Sequence, residues 1–316
     1  MDAGGRRVMG AIQRITPEDR HQWLALRARD VTSTEASALF GQSPYLTEYE
    51  LWHRKASGDL GEIAENERMT WGTRLQDMIA KGVAADQGWK VRKLTQYIRD
   101  AIDRMGASFD FEIVNHPDGP GILEVKNVDR LVYRDTWEEV DGQILAPAHI
   151  EIQAAHQMEV SGRGWCMIVA LVGGNEIKMT CRLRDPEVGA ALRARIRAFW
   201  DSVRENRPPA PDYAADAKFI SRLYRDVEEG KVLDARNDAD MAALAARYAA
   251  IGREVGALDE EKQAIKAKLL TRIGPAEKAL LANATISAKT VAAKEIAFTR
   301  EQYRDFRVTT KKEKTQ

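Results

Sequence analysis

Cysteine is nearly absent from this chain, with two in 316 residues. No metal-type Cys/His spacing surrounds them, which excludes a disulfide scaffold and a structural zinc site and suits a reducing, cytoplasmic setting. A surplus of either charge is also missing. Lys+Arg 48 balance Asp+Glu 48 for a formal net charge of +0, so any nucleic-acid contact must come from a local patch. No window approaches the roughly 18 apolar residues of a membrane span. The opening MDAGGRRVMGAIQRIT has no continuous apolar stretch of signal-peptide length, and residues 1–15 read as a frayed leader. What is present is ordinary for a globular protein, 44% hydrophobic and 30% charged, enough for one large domain or two smaller ones.

Helix signals come first. Thr16 as N-cap and Pro17 at the first helical position open one helix. The hydroxyls of Thr32, Ser33 and Thr34 open a second that Gly41 closes. Two more cover TEYELWHRKAS and AENERMTWGTRLQDMIAKGVAADQG. Strand-like runs follow at WKVRKL, TQYIRD, RMGASFDFEI and GILEVKNV; then come a charged irregular connection and a helix at PAHIEIQAAHQMEV. WCMIVALVGGNEIKMTCRL reads as a hairpin turning at Gly173-Gly174. A two-residue turn there sets Cys166 opposite Cys181, free thiols packed as small apolar residues that pair only under oxidation. After a last helix, PEVGAALRARIRAFWDSVREN, the prolines of RPPAPD mark a boundary near residue 212. Beyond it Met241, Leu244, Tyr248, Ile251, Val255 and Leu258 alternate spacings of three and four, and Ile265 and Leu269 resume after Lys262. This is a heptad helix over about 237–272. It packs on its own domain, on another helix or on itself. A strand-like tail and the basic FRVTTKKEKTQ end the chain.

The chemistry concentrates in ASFDFEIVNHPDGPGILEVKN, residues 107–127. If its loop is symmetric about residue 117, Phe109, Phe111, Ile113, Leu123 and Val125 share one face, and Asp110, Glu124 and Lys126 share the other. Two carboxylates on adjacent strands can hold a hard divalent cation such as Mg²⁺. A lysine two residues on can orient a water or stabilise charge developing on a phosphate. The plainer reading is a solvated hairpin with ordinary surface charges.

Four segments, in consistent order over residues 17 to 205, give this chain a resemblance to the lambda-exonuclease and YqaJ-like phage recombination exonucleases of the PD-(D/E)xK superfamily. SFD, LEVK and IQAAHQMEVSG resemble the catalytic strand pair and the glutamine-bearing helix after it; Trp23, Arg27 and VTSTE resemble the N-terminal segment; MTWGTRLQ resembles the WGxxxE helix. The resemblance implies an α/β, restriction-endonuclease-like core, a mixed central sheet flanked by helices, over residues 16–212. The coiled-coil-like extension, residues 213–316, lies outside it. It also implies metal ligation by Asp110, Glu124 and the Val125 carbonyl, water activation assisted by Lys126, and Gln153 beside the scissile phosphate. Arg27, Thr32 and Thr34 match a 5′-phosphate pocket, a role that hydroxyls at a helix start with a nearby guanidinium can fill. Met69 falls where the family has an apolar strand-splitting wedge, though such residues are more often plain core. One position departs from the pattern: where the family has a glutamate, this chain has Gln76, able to ligate but not to neutralise a second cation.

The activity so implied is Mg²⁺-dependent, with Mn²⁺ as a substitute. It is 5′-to-3′ degradation of one strand at double-stranded DNA ends, leaving 3′ overhangs. The implied partners are further copies in a ring, a trimer by resemblance, and a single-strand annealing protein, in a bacterial host or prophage context. An endonuclease or repair nuclease on the same core, or a non-catalytic DNA-binding or assembly subunit, are the rival readings.

Overall fold

The computed structural model describes residues 12–58, 66–300 and 302–309. Residues 1–11 of the leader and the lysines of the terminal basic tail lie outside the described residues. Ile12–Ile15, read from sequence as part of the frayed leader, instead form strand β1. The first helix, α1 (Arg20–Arg29), starts later than Thr16 and Pro17 suggest, because Asp19 takes the cap, its Oδ1 accepting from Gln22 N at 2.7 Å. After β2 (Val31–Thr32) the hydroxyl-rich segment opens no α-helix. It leads into one 3-10 turn, Ala36–Phe40, whose N-cap Glu35 makes no side-chain cap bond. Gly41 does end that turn, at φ 65. Helices α2 (Glu48–Ser57) and α3 (Glu67–Gln87) are capped by Thr47 and Asn66 through bonds to the Glu50 and Met69 amides.

Strands β3 (Val91–Lys93) and β4 (Tyr97–Asp100) follow. RMGASFDFEI, a single run in sequence, is two strands in different sheets, β5 (Met105–Ala107) and β6 (Phe111–Ile113). Next is β7 (Gly121–Val128). The connection read as irregular holds α4 (Arg130–Thr136) and the hairpin β8 (Glu138–Val140) and β9 (Gln143–Leu145). Helix α5 (Ala148–Ser161), strands β10 (Trp165–Val172) and β11 (Glu176–Leu183), and α6 (Pro186–Arg204) complete this part.

A four-stranded sheet has the order β1-β4-β5-β2, and a five-stranded one β11-β10-β7-β6-β3. In the latter only β7 and β10 are parallel, so the sheet is mixed. Strand β10 reads WCMIVALV because both of its faces are covered, and alternation disappears from such strands. Ile79, Ala80 and Val83 of α3 pack with Phe111, Ile113, Leu123, Val125 and Val169 on one face. Ile150, Ala154 and Met158 of α5 and Ile196 and Phe199 of α6 pack with Ile122, Cys166, Ile168 and Ala170 on the other. Gly121 is required where the hairpin meets the core, since a Cβ there would lie 2.2 Å from the Trp165 ring.

The β10–β11 turn corrects the expected cysteine pairing. Val172 faces Glu176, so three residues turn, Gly173 (φ 60), Gly174 (φ 81) and Asn175. One extra residue moves every partner by one position and to the other face: Cys166 faces Arg182, and Met167 faces Cys181. Both thiols are free; Cys166 is buried as a small apolar residue, while Cys181 is exposed.

The chain divides into two units between Ala217 and Lys218. Helix α7 (Ala217–Leu223) begins at the division. The heptad segment is one helix, α8 (Ala239–Ile273), without a single buried residue. A small hairpin, β12 (Lys278–Leu280) and β13 (Thr285–Ser287), follows. Among the described residues no helix is long and apolar enough to cross a membrane.

Candidate active site

The hairpin pairs as its alternation demands: Phe111 faces Leu123 and Ile113 faces Gly121, symmetric about residue 117. Phe109, expected on the same face, packs instead in the opposite cluster with Ile122 and Ala154. The cause lies in Ser108–Asp110, where the chain leaves the four-stranded sheet for the five-stranded one, so the alternation restarts at Phe111. Asp110 stands on that bend. Its Oδ2 accepts from Val125 N of β7 at 2.9 Å, and its Oδ1 accepts from Gln76 Nε2 of α3 at 2.6 Å.

Glu124, 3% exposed, turns toward α5. Its Oε1 accepts from Gln153 Nε2 at 2.6 Å and from Lys126 Nζ at 2.7 Å, and its Oε2 accepts from Gln157 Nε2 at 2.8 Å. Gln153 Oε1 in turn accepts from Lys126 at 2.9 Å. Asp110, Glu124, Lys126, Gln153 and Gln76 are therefore brought into one cluster. Burial, and then the like charge of Glu124, push the Asp110 carboxyl up to about 7. Burial works against the Lys126 ammonium, but Glu124 and Asp110 outweigh it and raise its pKa, so the lysine stays charged.

Other buried carboxylates show how a structural charge looks in this protein. Glu112, on the same hairpin, sits between Arg92 and Arg163. Asp100, Asp103 and Glu159 surround Arg193, with Arg184 and Arg197 at the edges. Asp30 takes both Arg99 nitrogens at 2.8 and 2.7 Å. Asp110 and Glu124 have no such arginine among their described hydrogen-bond and ion-pair partners; the two share one lysine. The carboxylate oxygens of Asp110 and Glu124 are hard donors of the kind that suit a cation keeping part of its water shell. Among the described residues no group of three or more His, Cys, Asp or Glu is arranged to hold a metal, so any ion here depends on this pair.

The second predicted group also assembles. Arg27 Nη2 donates to Thr34 Oγ1 at 3.3 Å, and the Thr32 and Thr34 hydroxyls are 3.3 Å apart. Behind them Glu35 accepts from Thr32 N at 2.9 Å and from Lys55 Nζ at 2.8 Å. Burial opposes the Glu35 charge, yet Lys55 and Arg27 hold its carboxyl down to about 2. The Arg27 guanidinium lies 4.6 Å from the Trp23 ring centroid.

Sequence reading missed Gln157, although its signal was present, one turn beyond Gln153 on the same face of α5. It also missed the link between the two groups. Trp23 Nε1 donates to Ser108 Oγ at 2.9 Å, and Gln157 Nε2 reaches Ser108 O at 3.1 Å as well as Glu124. Lys55 carried no signal, since only the fold brings α2 against Glu35. Asp77 points away, pairing with Lys93 at 2.8 Å. Met69 is not core: in the first turn of α3 it is 41% exposed, beside the exposed Trp71.

Residues 22–164 match the model of the YqaJ-like viral recombinase domain, which bears out the family resemblance read from the motifs. The chain is similar to the uncharacterized protein YqaJ of Bacillus subtilis (strain 168), 26% identical over 220 residues, covering 68% of this chain and 66% of the relative. It thus spans just under two thirds of that relative's length. Among solved structures it is similar to an alkaline exonuclease from Laribacter hongkongensis, at 20% identity and TM-score 0.48, covering 64% of this chain and 99% of that one. A phage related exonuclease from Haemophilus somnus 129PT gives 13% identity and TM-score 0.41 over 56% of this chain and 96% of that one. At TM-scores below 0.5 these likenesses decide nothing about activity.

Proposed function

We propose that the protein is a Mg²⁺-dependent exonuclease that degrades one strand of linear double-stranded DNA from its 5′ end, leaving 3′ overhangs for phage-type recombination. The observation that carries this reading is the carboxylate pair of half-buried Asp110 and buried Glu124. Burial, and then the charge of Glu124, lift Asp110 to about 7, and a cation would offset both. Asp110, Glu124, the Val125 carbonyl and the Gln76 amide oxygen would hold Mg²⁺, with Mn²⁺ as a substitute. Once bound, such an ion lowers the pKa of a coordinated water and polarises the phosphate.

The chain's own groups do the rest. The Lys126 ammonium orients the attacking water and meets the charge developing on the phosphate. Gln153 and Gln157 fix Glu124 by donating to its two oxygens. Arg27, Thr32 and Thr34 capture the terminal 5′-phosphate, which sets polarity. Met69, exposed at the start of α3, is the wedge that parts the strands. The reading extends to a homo-oligomeric ring, a trimer by resemblance, and to an annealing protein as partner; net neutrality suits a ring with a basic lumen and an acidic exterior.

The test is nucleotide release from linear duplexes with 5′-phosphate or 5′-hydroxyl ends and from a closed circle, each with Mg²⁺, Mn²⁺ or chelator. Release from phosphorylated linear duplex alone, abolished by chelator, is expected. Cutting of the circle would replace this reading with an endonuclease. No release from folded protein would leave a DNA-binding or assembly subunit.

A further inference from the structure

Helix α8 is anomalous as a lone helix. It runs for 35 residues with none buried, yet Met241, Leu244, Tyr248, Ile251, Val255, Leu258, Ile265 and Leu269 stand 36% to 72% exposed along one seam. A helix in water draws most of its stability from packing such a face. From the chain's own last segment, Phe306 touches the seam at Tyr248, ring centroids 5.4 Å apart, and leaves that tyrosine 55% exposed.

We propose that the occupant of this seam is α8 of a second copy of the chain, in an antiparallel two-stranded coiled coil with its dyad at Arg253. The inference does not depend on the nuclease reading. Charge placement selects both direction and register. With the seam residues at the a and d positions of the heptad, the flanking g positions are Asp240, Arg247, Glu254, Glu261 and Lys268. About a dyad at residue 253, Met241 packs on Ile265 of the second copy, Leu244 on Lys262, Tyr248 on Leu258, and Ile251 on Val255. Asp240 then meets Lys268 of the second copy and Arg247 meets Glu261, each contact occurring twice. One like-charged contact, Glu254 on Glu254, falls at the dyad. Arg247 already reaches along this edge to Glu254 at 2.9 Å within one helix, so its guanidinium lies where it offsets that contact. Gly252 lies at the dyad on the other edge, where the structure leaves nothing within 4 Å of an added Cβ, and permits close approach of the backbones.

The alternatives fare worse on the same residues. A parallel pair would stack Lys262 on Lys262 in a core layer and set Glu254 against Asp259 twice, with only Glu261 and Lys266 in favour. Centring the antiparallel pair at the middle of the seam would set Arg247 against Lys268 and Glu254 against Glu261. In the chosen register Lys262 lies along Leu244 of the second copy near the end of the seam, where its ammonium can reach water.

The full-length protein tests this by sedimentation equilibrium and by disulfide capture. Ile251→Asp should halve the mass of the assembly, and an unchanged mass overturns the proposal. Arg247→Glu should weaken assembly about tenfold and Arg247→Glu with Glu261→Arg should restore it; a double variant as weak as the single one overturns the register. In a Cys181→Ser background, Ile251→Cys and Val255→Cys chains should cross-link when mixed but not alone. Cross-linking of each alone would show a parallel pair, and cross-linking of neither would leave the seam to the chain's own tail or another protein; both results overturn the proposal.

Discussion

The two charged groups of the first unit are opposites. Around Asp110 and Glu124 two carboxylates face the Lys126 ammonium, and burial together with the Glu124 charge lifts Asp110 to about 7. Around Glu35 a guanidinium and an ammonium share one carboxylate, which is held down to about 2, while burial presses the Lys55 pKa downward. One group wants a cation and the other an anion. Trp23, Ser108 and Gln157 connect them, so the two are placed together by one run of hydrogen bonds. A metal in the first and a terminal phosphate in the second would complete both.

The largest effect should come from breaking the first group. Asp110→Asn removes a proposed metal ligand and should lower nucleotide release about 10³-fold or more, equivalent to roughly 4 kcal/mol of barrier. In chelator at pH 8 the same variant should unfold at higher denaturant concentration than the parent, because the cost of charging Asp110 beside Glu124 has been relieved. The amide introduced by Asp110→Asn can keep both contacts, accepting from Val125 N and donating to Gln76 Oε1. Loss of activity accompanied by loss of stability would instead mean that Asp110 is a structural residue.

Next in size is the opposite pH response of the two groups, measured by denaturation in chelator from pH 3 to 8. Glu35 has a folded pKa of about 2, below its ordinary 4.5. Its stabilisation is therefore complete above pH 4.5 and is lost as pH falls toward 2. Asp110 has a folded pKa of about 7, above its ordinary 3.8. The folded state then holds the proton more tightly, and stability falls as pH rises from about 4 to 7. Down to pH 3 the Glu35 contribution should amount to about 2 kcal/mol, and the Asp110 limb to about 4 kcal/mol. Glu35→Gln should reduce the acid limb alone, since Asp103 and Glu159 are also held low, and Asp110→Asn should flatten the neutral limb alone; a single variant that changed both limbs would show that the groups titrate as one.

How much of this was legible in the sequence differs between the two groups. The carboxylate hairpin was readable because symmetry about residue 117 and period-two alternation are local. The reading failed at Phe109, where the chain changes sheets, since no local pattern announces such a crossing. Gln76 and Gln153 came from motif resemblance. The Arg27 group was visible only as hydroxyls beside an arginine, and their expected helix start proved to be a turn before a 3-10 segment. Its counter-charges, Glu35 and Lys55, meet across 20 residues of chain, and tertiary pairing of that kind leaves no periodic trace. The cysteine register failed by one residue because two glycines suit a two-residue or a three-residue turn equally.

Breaking the second group should cost less than breaking the first. Arg27→Ala removes the proposed charge-assisted contact to a terminal phosphate, so discrimination between 5′-phosphate and 5′-hydroxyl duplex ends should fall about 10- to 100-fold, to near parity. Release from 5′-hydroxyl ends should hardly change. An equal loss on both kinds of end would assign Arg27 to holding Trp23 in place instead of to the phosphate.

The smallest effect sharpens the first group instead of breaking it. Gln76 donates to Asp110 at 2.6 Å, a bond that calms the carboxylate pair but brings no charge to a cation. Gln76→Glu would set a third carboxylate beside Asp110. Without metal that variant should be less stable than the parent at pH 8, since a further like charge is set beside Asp110 and Glu124. With metal the order should reverse, and the Mg²⁺ concentration for half-maximal release should fall several-fold, because an added anionic ligand tightens a hard-cation site. Titration of activity against Mg²⁺, paired with unfolding in chelator, reads both. If metal demand did not change while stability in chelator fell, Gln76 would lie beyond the ion, and its bond to Asp110 would serve only to orient that carboxylate.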